Sequence, residues 1–504
     1  MSKRVIIVGA GVGGLSAAAC LSHQGYEVRV LERAAHAGGK VERTEIAGRI
    51  IDCGPTVITM TSHLARVFEA AGGDLAEVEL TPLKVLARHF WPDGSTLDLT
   101  TSIEENCDRI AQFAGAREAL NYVRFARYAE EIYEVVHGPF LSASELSKGA
   151  MLRLVVERPR DVFKIDASRT MMKALSSFFG DARLIQLFGR YATYSGSDPF
   201  RAPATLNVIS HVERLGVRSA DALMRLAVRN GASFEFDCHV ERILSRSSRV
   251  TGVRTRDGRE LMADAVVFNG DVNALATGLL GKGVTRAVRE THTPSLSALT
   301  AAVVGEVSGN LAHHNVFFSS DYRAEFAELA EGRIPADSTV YACASDRSEP
   351  GRPPGDERLF LIANAPANHP LTEKESQSCL ALITRTMSRC GVQLRAQAHR
   401  VFPPSYYQRR FPGTGGAIYG AMTTGMWSRF TRPTARSGLT GLDLPGGSVH
   451  PGAGVPMAAT SGLFAAEALS ADLGSTERSS ATATRGGTST RSATTVSTPS
   501  SSLA

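Results

Sequence analysis

The 504-residue chain is poor in several things, and each scarcity removes a class of protein. Its seven cysteines (Cys20, Cys53, Cys107, Cys238, Cys343, Cys379 and Cys390) form no C-x-x-C pair and have no histidine at metal-ligand spacing. An odd, dispersed set argues against a disulfide framework or a zinc site, and predicts reduced thiols, a cytoplasmic setting and no bound metal. No stretch reaches the ~18 uninterrupted apolar residues that cross a bilayer, so membrane contact is expected from one side only. Neither charge sign is in excess: 55 basic against 50 acidic residues give +5, and three arginines against one glutamate in the last thirty residues supply +2 of it. The body is nearly neutral, which leaves no electrostatic footprint for nucleic acid. No internal repeat is visible, so a solenoid is excluded. Lys3-Arg4, an apolar run and Ser16-Ala17-Ala18-Ala19-Cys20 imitate a secretory signal, but glycines fill its supposed hydrophobic region and none is expected.

What the chain has is an organised beginning. Val5-Ile6-Ile7-Val8 is followed by Gly9-Ala10-Gly11-Val12-Gly13-Gly14, an alanine-rich run to Gly25, and Val28-Arg29-Val30-Leu31-Glu32. That pattern predicts strand, glycine turn, helix and strand, with G-x-G-x-x-G spacing and an acid beyond it: the dinucleotide fingerprint in its proper context. Gly9 permits the tight turn, Gly11 lets backbone approach a pyrophosphate, and Gly14 lets the helix pack on the strand while its free N–H groups face the anion. Glu32 is placed to accept hydrogen bonds from an adenosine ribose, which disfavours a 2′-phosphate without separating NAD from FAD. Arg33 and a second glycine turn, Gly38-Gly39-Lys40, follow at once.

Further along, hairpins are predicted around Ala47-Gly48 and Pro92-Asp93-Gly94, the first ending in the stiff turn Gly54-Pro55-Thr56 before a helix that Thr61 or Ser62 would cap. From Ser102, with Glu105 as a capping box, the chain reads as helical to about residue 215. The run Met151 to Arg160 mixes apolar residues with arginines, as a helix on an anionic membrane or a domain-core helix would. Residues 220 to 275 return to alternating structure, where Val240 would offer backbone contacts to an adenine and a strand runs into Asn269-Gly270-Asp271. Residues 295 to 440 read as a substrate-side sheet with a helix that Thr372 would cap. From Ser475 the chain is nearly all Ser, Thr, Ala, Gly and Arg, too polar to bury a core. The expected organisation is an α/β protein: a discontinuous Rossmann-type nucleotide domain (1–75, 219–294, 441–474), a mixed-sheet substrate domain (76–101, 295–440), a helical, membrane-facing subdomain (102–218) and a disordered tail (475–504).

A second glycine-rich stretch, Gly446-Gly447-Ser448-Val449-His450-Pro451-Gly452-Ala453-Gly454-Val455-Pro456-Met457, precedes a small-residue helix, which indicates backbone brought close to a ligand. With the double-glycine turn, this resembles the flavin-dependent amine oxidase and carotenoid desaturase superfamily. The resemblance implies that Gly38-Gly39-Lys40 passes beneath the flavin side of FAD, and that Gly447, Ser448, Val455, Pro456 and Met457 close over its ring and ribityl chain. Within that superfamily, Gly54-Pro55-Thr56-Val57, Pro199-Phe200-Arg201-Ala202-Pro203, Val267-Phe268-Asn269-Gly270-Asp271 and Phe411-Pro412-Gly413-Thr414-Gly415-Gly416 resemble the 1-hydroxycarotenoid 3,4-desaturases, also called hydroxyneurosporene desaturases. Gly54, Pro55, Thr56, Gly270 and Asp271 are placed at the cofactor by the same resemblance. One departure stands out: only Ser219-Ala220-Asp221-Ala222 bridges Arg218 and Leu223, where the family has a longer glycine-rich loop.

The resemblance implies FAD as cofactor, a lipophilic carotenoid as substrate, peripheral membrane contact, and oxygen or a quinone as electron acceptor. Removing a hydride and a proton from a hydrocarbon asks the protein mainly for alignment and dryness. His450 is the candidate proton acceptor, weighed against a structural hydrogen-bonding role. Asp198 and Arg201 are read as channel-facing or as a capped turn, and Tyr406, Tyr407 and Trp427 as channel lining or core. Alternatives are a phytoene-type desaturase, a carotenoid isomerase, and a flavin-binding scaffold without turnover.

Overall fold

In the computed structural model, the described residues are 2–78, 80–144, 161, 164–216, 223–288, 293–347, 355–368, 373–423 and 432–485. The Met151–Arg160 run, the Ser219–Ala222 bridge, Thr372 and Trp427 lie outside them.

Two sheets position everything else. The first is five-stranded and wholly parallel, in the order Leu442–Asp443, Ala265–Phe268, Arg4–Val8, Glu27–Leu31 and Ser233–Glu235. Its strands come from three distant parts of the chain. The apolar strand Val5–Ile7 is sandwiched between Ala265–Val267, all buried, and a strand whose Val28 and Val30 are buried while Arg29 reaches the surface, as a parallel sheet covered over most of both faces requires. The helix Val12–His23 covers one face and is itself covered by the long helix Val455–Arg485. The two helices approach so closely that a Cβ on Gly462 would lie 2.2 Å from the Gly13 carbonyl oxygen. Small residues along Ser16–Ala19 make that approach possible. The helix at 455 runs to Arg485, so the first part of the expected tail, from 475, is helical.

The second sheet has seven strands, in the order Gln393–Phe402, Ser297–Ser308, Glu357–Ala365, Val340–Ala344, His314–Phe317, Ala87–Phe90 and Thr96–Leu99. All its pairings are antiparallel except that of 87–90 with 314–317. Its two faces differ. One, with Leu299, Ala301, Val340, Ala342, Leu361 and Ala363, packs on Cys379, Ile383 and Met387 of the helix Glu373–Arg389. The other carries a transverse row set by direct pairing across five strands, Thr300–Ile362–Tyr341–Val316–His89. A three-stranded antiparallel meander, Val240–Arg246, Arg249–Thr255 and Glu260–Met262, closes the nucleotide side.

The helical block includes Ile103–Ala114, Ala116–Val136, Met171–Phe178, Ala182–Gly189 and Val208–Arg214. Ser102 caps the first of these by accepting the Glu105 amide at 3.1 Å. The helix Thr61–Ala70 is begun by Met60 in a left-handed conformation with no side-chain cap, rather than by Thr61 or Ser62. Leu64, Val67 and Phe68 bury its apolar face against the nucleotide core, and this packing replaces the missing cap.

Candidate active site

The carboxyl ends of the parallel strands and the row-bearing face of the second sheet enclose one cavity of about 880 Å³. On the nucleotide side it is built from backbone. Gly11 begins the helix Val12–His23 without any side-chain cap, so the first amides are left for a ligand. The two glycine turns touch: the Gly38 amide donates to the Ala10 carbonyl at 2.9 Å, and a Cβ on Gly39 would sit 2.9 Å from Gly11 Cα. Glu32 lines the cavity and braces the first turn, accepting the Ala10 amide at 2.7 Å, while its other oxygen accepts the Ala34 amide at 2.9 Å in the loop that leads to the second.

Most of the sequence-predicted cofactor residues line this one cavity: Gly9, Gly11, Val12, Gly13, Glu32, Arg33, Gly38, Gly39, Lys40, Gly54, Pro55, Thr56, Val240, Gly270, Asp271, Gly447, Ser448, Val455, Pro456 and Met457. Ala10 and Gly14 are not among the lining residues. Ala10 is fully buried and gives its amide to Glu32, and a Cβ on Gly14 would lie 2.2 Å from the Gly9 carbonyl, so both shape the turn from behind. Asn269 was missed by sequence reasoning. Its side-chain amide donates to the Gly9 carbonyl at 3.3 Å and lies within 3.1 Å of where Cβ atoms on Gly11, Gly13, Gly14 or Gly446 would be. It therefore fills the space those glycines leave and ties the first and last cofactor segments together.

Two buried cations also line the cavity. Lys40 Nζ donates to the Ile418 carbonyl at 2.6 Å, and Arg432 donates to the carbonyls of Gly447, Tyr419 and Ala421. Burial lowers both pKa values, that of Arg432 to about 10, with Asp271 opposing the shift. Asp271 caps the Asn273 amide at 3.0 Å, and its carboxyl is raised by burial against the pull of Lys40 and Arg432. Among the described residues neither cation has a carboxylate within ion-pair distance, so the site carries buried positive charge awaiting an anion. Uncapped helix amides, glycine cradles and surplus positive charge fit the pyrophosphate and flavin of FAD.

The substrate side is built from side chains. Thr300, Ile362, Tyr341 and Val316 of the transverse row line the cavity, joined by Ala298, Phe360 and Asn364 on the same face. Thr56 meets this row directly, its hydroxyl 2.6 Å from that of Tyr341, which is 2.7 Å from His314 Nδ1. His313 Nε2 lies 3.6 Å from Cys343 Sγ, so two consecutive histidines converge with a cysteine from a different strand. Burial pushes the Cys343 thiol up to about 12 and His314 well below its ordinary value, leaving this cluster uncharged. Val136, Leu141, Ile165, Val208 and Val212 extend the cavity as an apolar arm into the helical block.

His450 lines the cavity, but its Nε2 lies 2.9 Å from the Ala143 carbonyl and its ring stacks on Phe464, an arrangement that holds main chain in place. Asp198 accepts the Phe200 amide at 2.8 Å in a turn and, like Arg201, does not line the cavity. Tyr407 lines it, 2.8 Å from Thr300 Oγ1, whereas Tyr406 turns away to Glu42.

A nucleotide cradle opening on an apolar chamber defines a dinucleotide-dependent oxidoreductase. The chain belongs to the flavin containing amine oxidoreductase family, whose model matches residues 12–470. The cofactor is therefore a flavin, FAD, which the chemistry of the cradle fits. The chain is 42% identical over 515 residues to a hydroxyneurosporene desaturase of Rubrivivax gelatinosus, covering 98% of each. It is 41% identical over 489 residues to a hydroxyneurosporene desaturase of Cereibacter sphaeroides, covering 94% of this chain and 99% of that one. Among solved structures, an oxidoreductase from Methanosarcina mazei superposes with a TM-score of 0.59 at 16% identity, over 92% of this chain and all of that one, a likeness of fold alone.

Proposed function

We propose that this protein is an FAD-dependent desaturase of acyclic carotenoids, acting on a 1-hydroxylated substrate to introduce the 3,4 double bond. The observation that carries the reading is the single cavity: its nucleotide half is polar and made of backbone, and its other half is an apolar chamber that meets it at Thr56 and Tyr341. Relatives named as hydroxyneurosporene desaturases over nearly their whole length support the substrate class.

FAD, when bound, supplies the hydride acceptor. The chain's own residues do the rest. Ile362, Phe360 and Val316 hold a hydrocarbon by shape and keep water out, which is where selectivity against other polyenes arises. The Thr56–Tyr341–His314 hydrogen bonds fix the wall between cofactor and substrate, so that the chamber does not collapse when empty. Among the described residues no helix is long and apolar enough to cross a membrane. The lipophilic nature of such a substrate favours peripheral contact with a bilayer, and oxygen or a quinone would serve as the electron acceptor.

The test is the product. Incubating the FAD-loaded protein with vesicles holding a 1-hydroxylated neurosporene-type carotenoid should yield a product two hydrogens lighter, with its absorption shifted to the red. An unchanged mass with altered geometry would make the protein an isomerase. No change with any acyclic carotenoid, in protein shown to hold FAD, would overturn the reading.

A further inference from the structure

A chamber for a hydrocarbon has no use for charge, yet this one has a buried ion pair in its wall. Arg190 and Glu213 both line the cavity, and their side chains are 7% and 3% exposed. They lie 3.6 Å apart. Glu213 also accepts hydrogen bonds from the Tyr191 hydroxyl and, at 2.5 Å, from the Tyr194 hydroxyl, and Tyr194 lines the cavity too. Arg190 stacks over the rings of Tyr191 and Tyr194 and reaches His89 Nε2 at 3.4 Å. Burying such a pair costs desolvation that mutual attraction seldom more than offsets, so stability alone gives it little reason to exist.

Its place in the fold is informative. His89 ends the transverse row Thr300–Ile362–Tyr341–Val316–His89, so Arg190 sits where the chamber floor stops. Two strand spacings, about 10 Å, separate His89 from Tyr341, whose hydroxyl touches Thr56 on the cofactor side. In a 1-hydroxylated chain that reacts between its third and fourth carbons, the oxygen is three or four bonds from the reacting carbons, about 4–5 Å at ~1.5 Å per bond. That oxygen therefore falls between Tyr341 and His89 along the row, the stretch whose outer end Arg190 closes.

We propose that Arg190, Glu213 and Tyr194 form the subsite that binds the terminal hydroxyl of the substrate. This rests on the desaturase reading above. The hydroxyl donates to the Glu213 carboxylate, whose four acceptor positions are not filled by two tyrosines and one guanidinium, and it accepts from the guanidinium N–H groups of Arg190. Tyr194 orients the carboxylate. A substrate without the hydroxyl would leave these groups dry and unmatched, which is how a site built for a hydroxyl rejects the analogue that lacks it.

The experiment compares a 1-hydroxylated acyclic carotenoid with its 1-deoxy counterpart in the same vesicles, using FAD-loaded wild type, Glu213→Gln and Tyr194→Phe. Binding is followed by the change in carotenoid absorption and turnover by flavin bleaching. Wild type should prefer the hydroxylated compound by about tenfold or more in binding, and both variants should bring that ratio towards one. Flavin content and melting temperature separate this from misfolding. An equal affinity of wild type for the two compounds, or a preference that both variants retain while their affinities fall together, would make the cluster structural glue and overturn the proposal. Because binding is read apart from turnover, a wild type that binds with preference but desaturates neither compound sinks the activity reading and leaves the subsite standing.

Discussion

The two sheets of this protein present ligand surfaces in opposite ways. The parallel sheet works at its end: the carboxyl termini of its strands run into glycine turns, and the surface offered is backbone N–H, helix N-terminus and the space of absent side chains. The mixed sheet works through its face: alternate residues of neighbouring strands form a wall of side chains, and the surface offered is shape. The first arrangement suits a cofactor with charge to satisfy. The second suits a substrate with almost none.

The sharpest way to break this comparison is at the cradle. Gly14→Val places a branched side chain where even a Cβ would lie 2.2 Å from the Gly9 carbonyl, so the turn must move. The purified variant should carry no flavin absorbance and should melt well below wild type; normal flavin content would show that the turn is not built as described.

Next come two neighbouring residues on opposite faces. Ile362 faces the chamber and Ala363 the core. Ile362→Gln should retain flavin but lower carotenoid kcat/KM by about tenfold or more, because an amide is left without partners against a hydrocarbon. Ala363→Leu should do the reverse, costing about 1–3 kcal/mol in a urea melt through overpacking against Ile383 and Met387, with the rate per bound flavin preserved. Matching phenotypes at 362 and 363 would erase the distinction between the faces.

The smallest effect is a pH dependence. Glu325 is buried, accepts from Ser319 and Thr339 at 2.7 Å each, and is raised by burial to about 7. The native state then binds more protons than the unfolded state between the ordinary carboxyl value of 4.5 and about 7, so its contribution to stability is full below that window and is lost as pH rises through it. Glu325→Gln should raise the melting temperature at pH 8 by a few degrees relative to wild type, and by less at pH 5. A gain that is the same at both pH values would mean the carboxyl is not the titrating group.

The difference between the sheets also explains what the sequence disclosed. A backbone site needs glycines at fixed local spacing, so Gly9 to Gly14, Gly38 to Lys40 and Gly446 to Met457 could be read in one dimension, and with them the flavin cofactor and the residues that line one half of the cavity. Asn269 and Arg432 carried no such local sign, since their roles depend on glycines and carbonyls far away in the chain. The chamber floor was less legible still. Thr300, Ile362, Tyr341, Val316 and His89 form a row only because five strands pair in one register, and Arg190 and Glu213 meet only because the short helix Arg190–Ser195 packs on Val208–Arg214. The helix after Gly54-Pro55-Thr56 was legible, but not its start, because tertiary packing rather than a Thr61 or Ser62 cap begins it at Met60.

The central claim is that cradle and chamber are halves of one site, so that what enters the second reacts at the first. Anaerobic mixing of the FAD-loaded protein with vesicles carrying a 1-hydroxylated acyclic carotenoid tests it most directly, with flavin and polyene absorption followed together. The account predicts that the flavin bleaches and the polyene shifts to the red in a single phase and in equal amounts. A flavin that stays oxidised while the carotenoid is shown to be bound would contradict it.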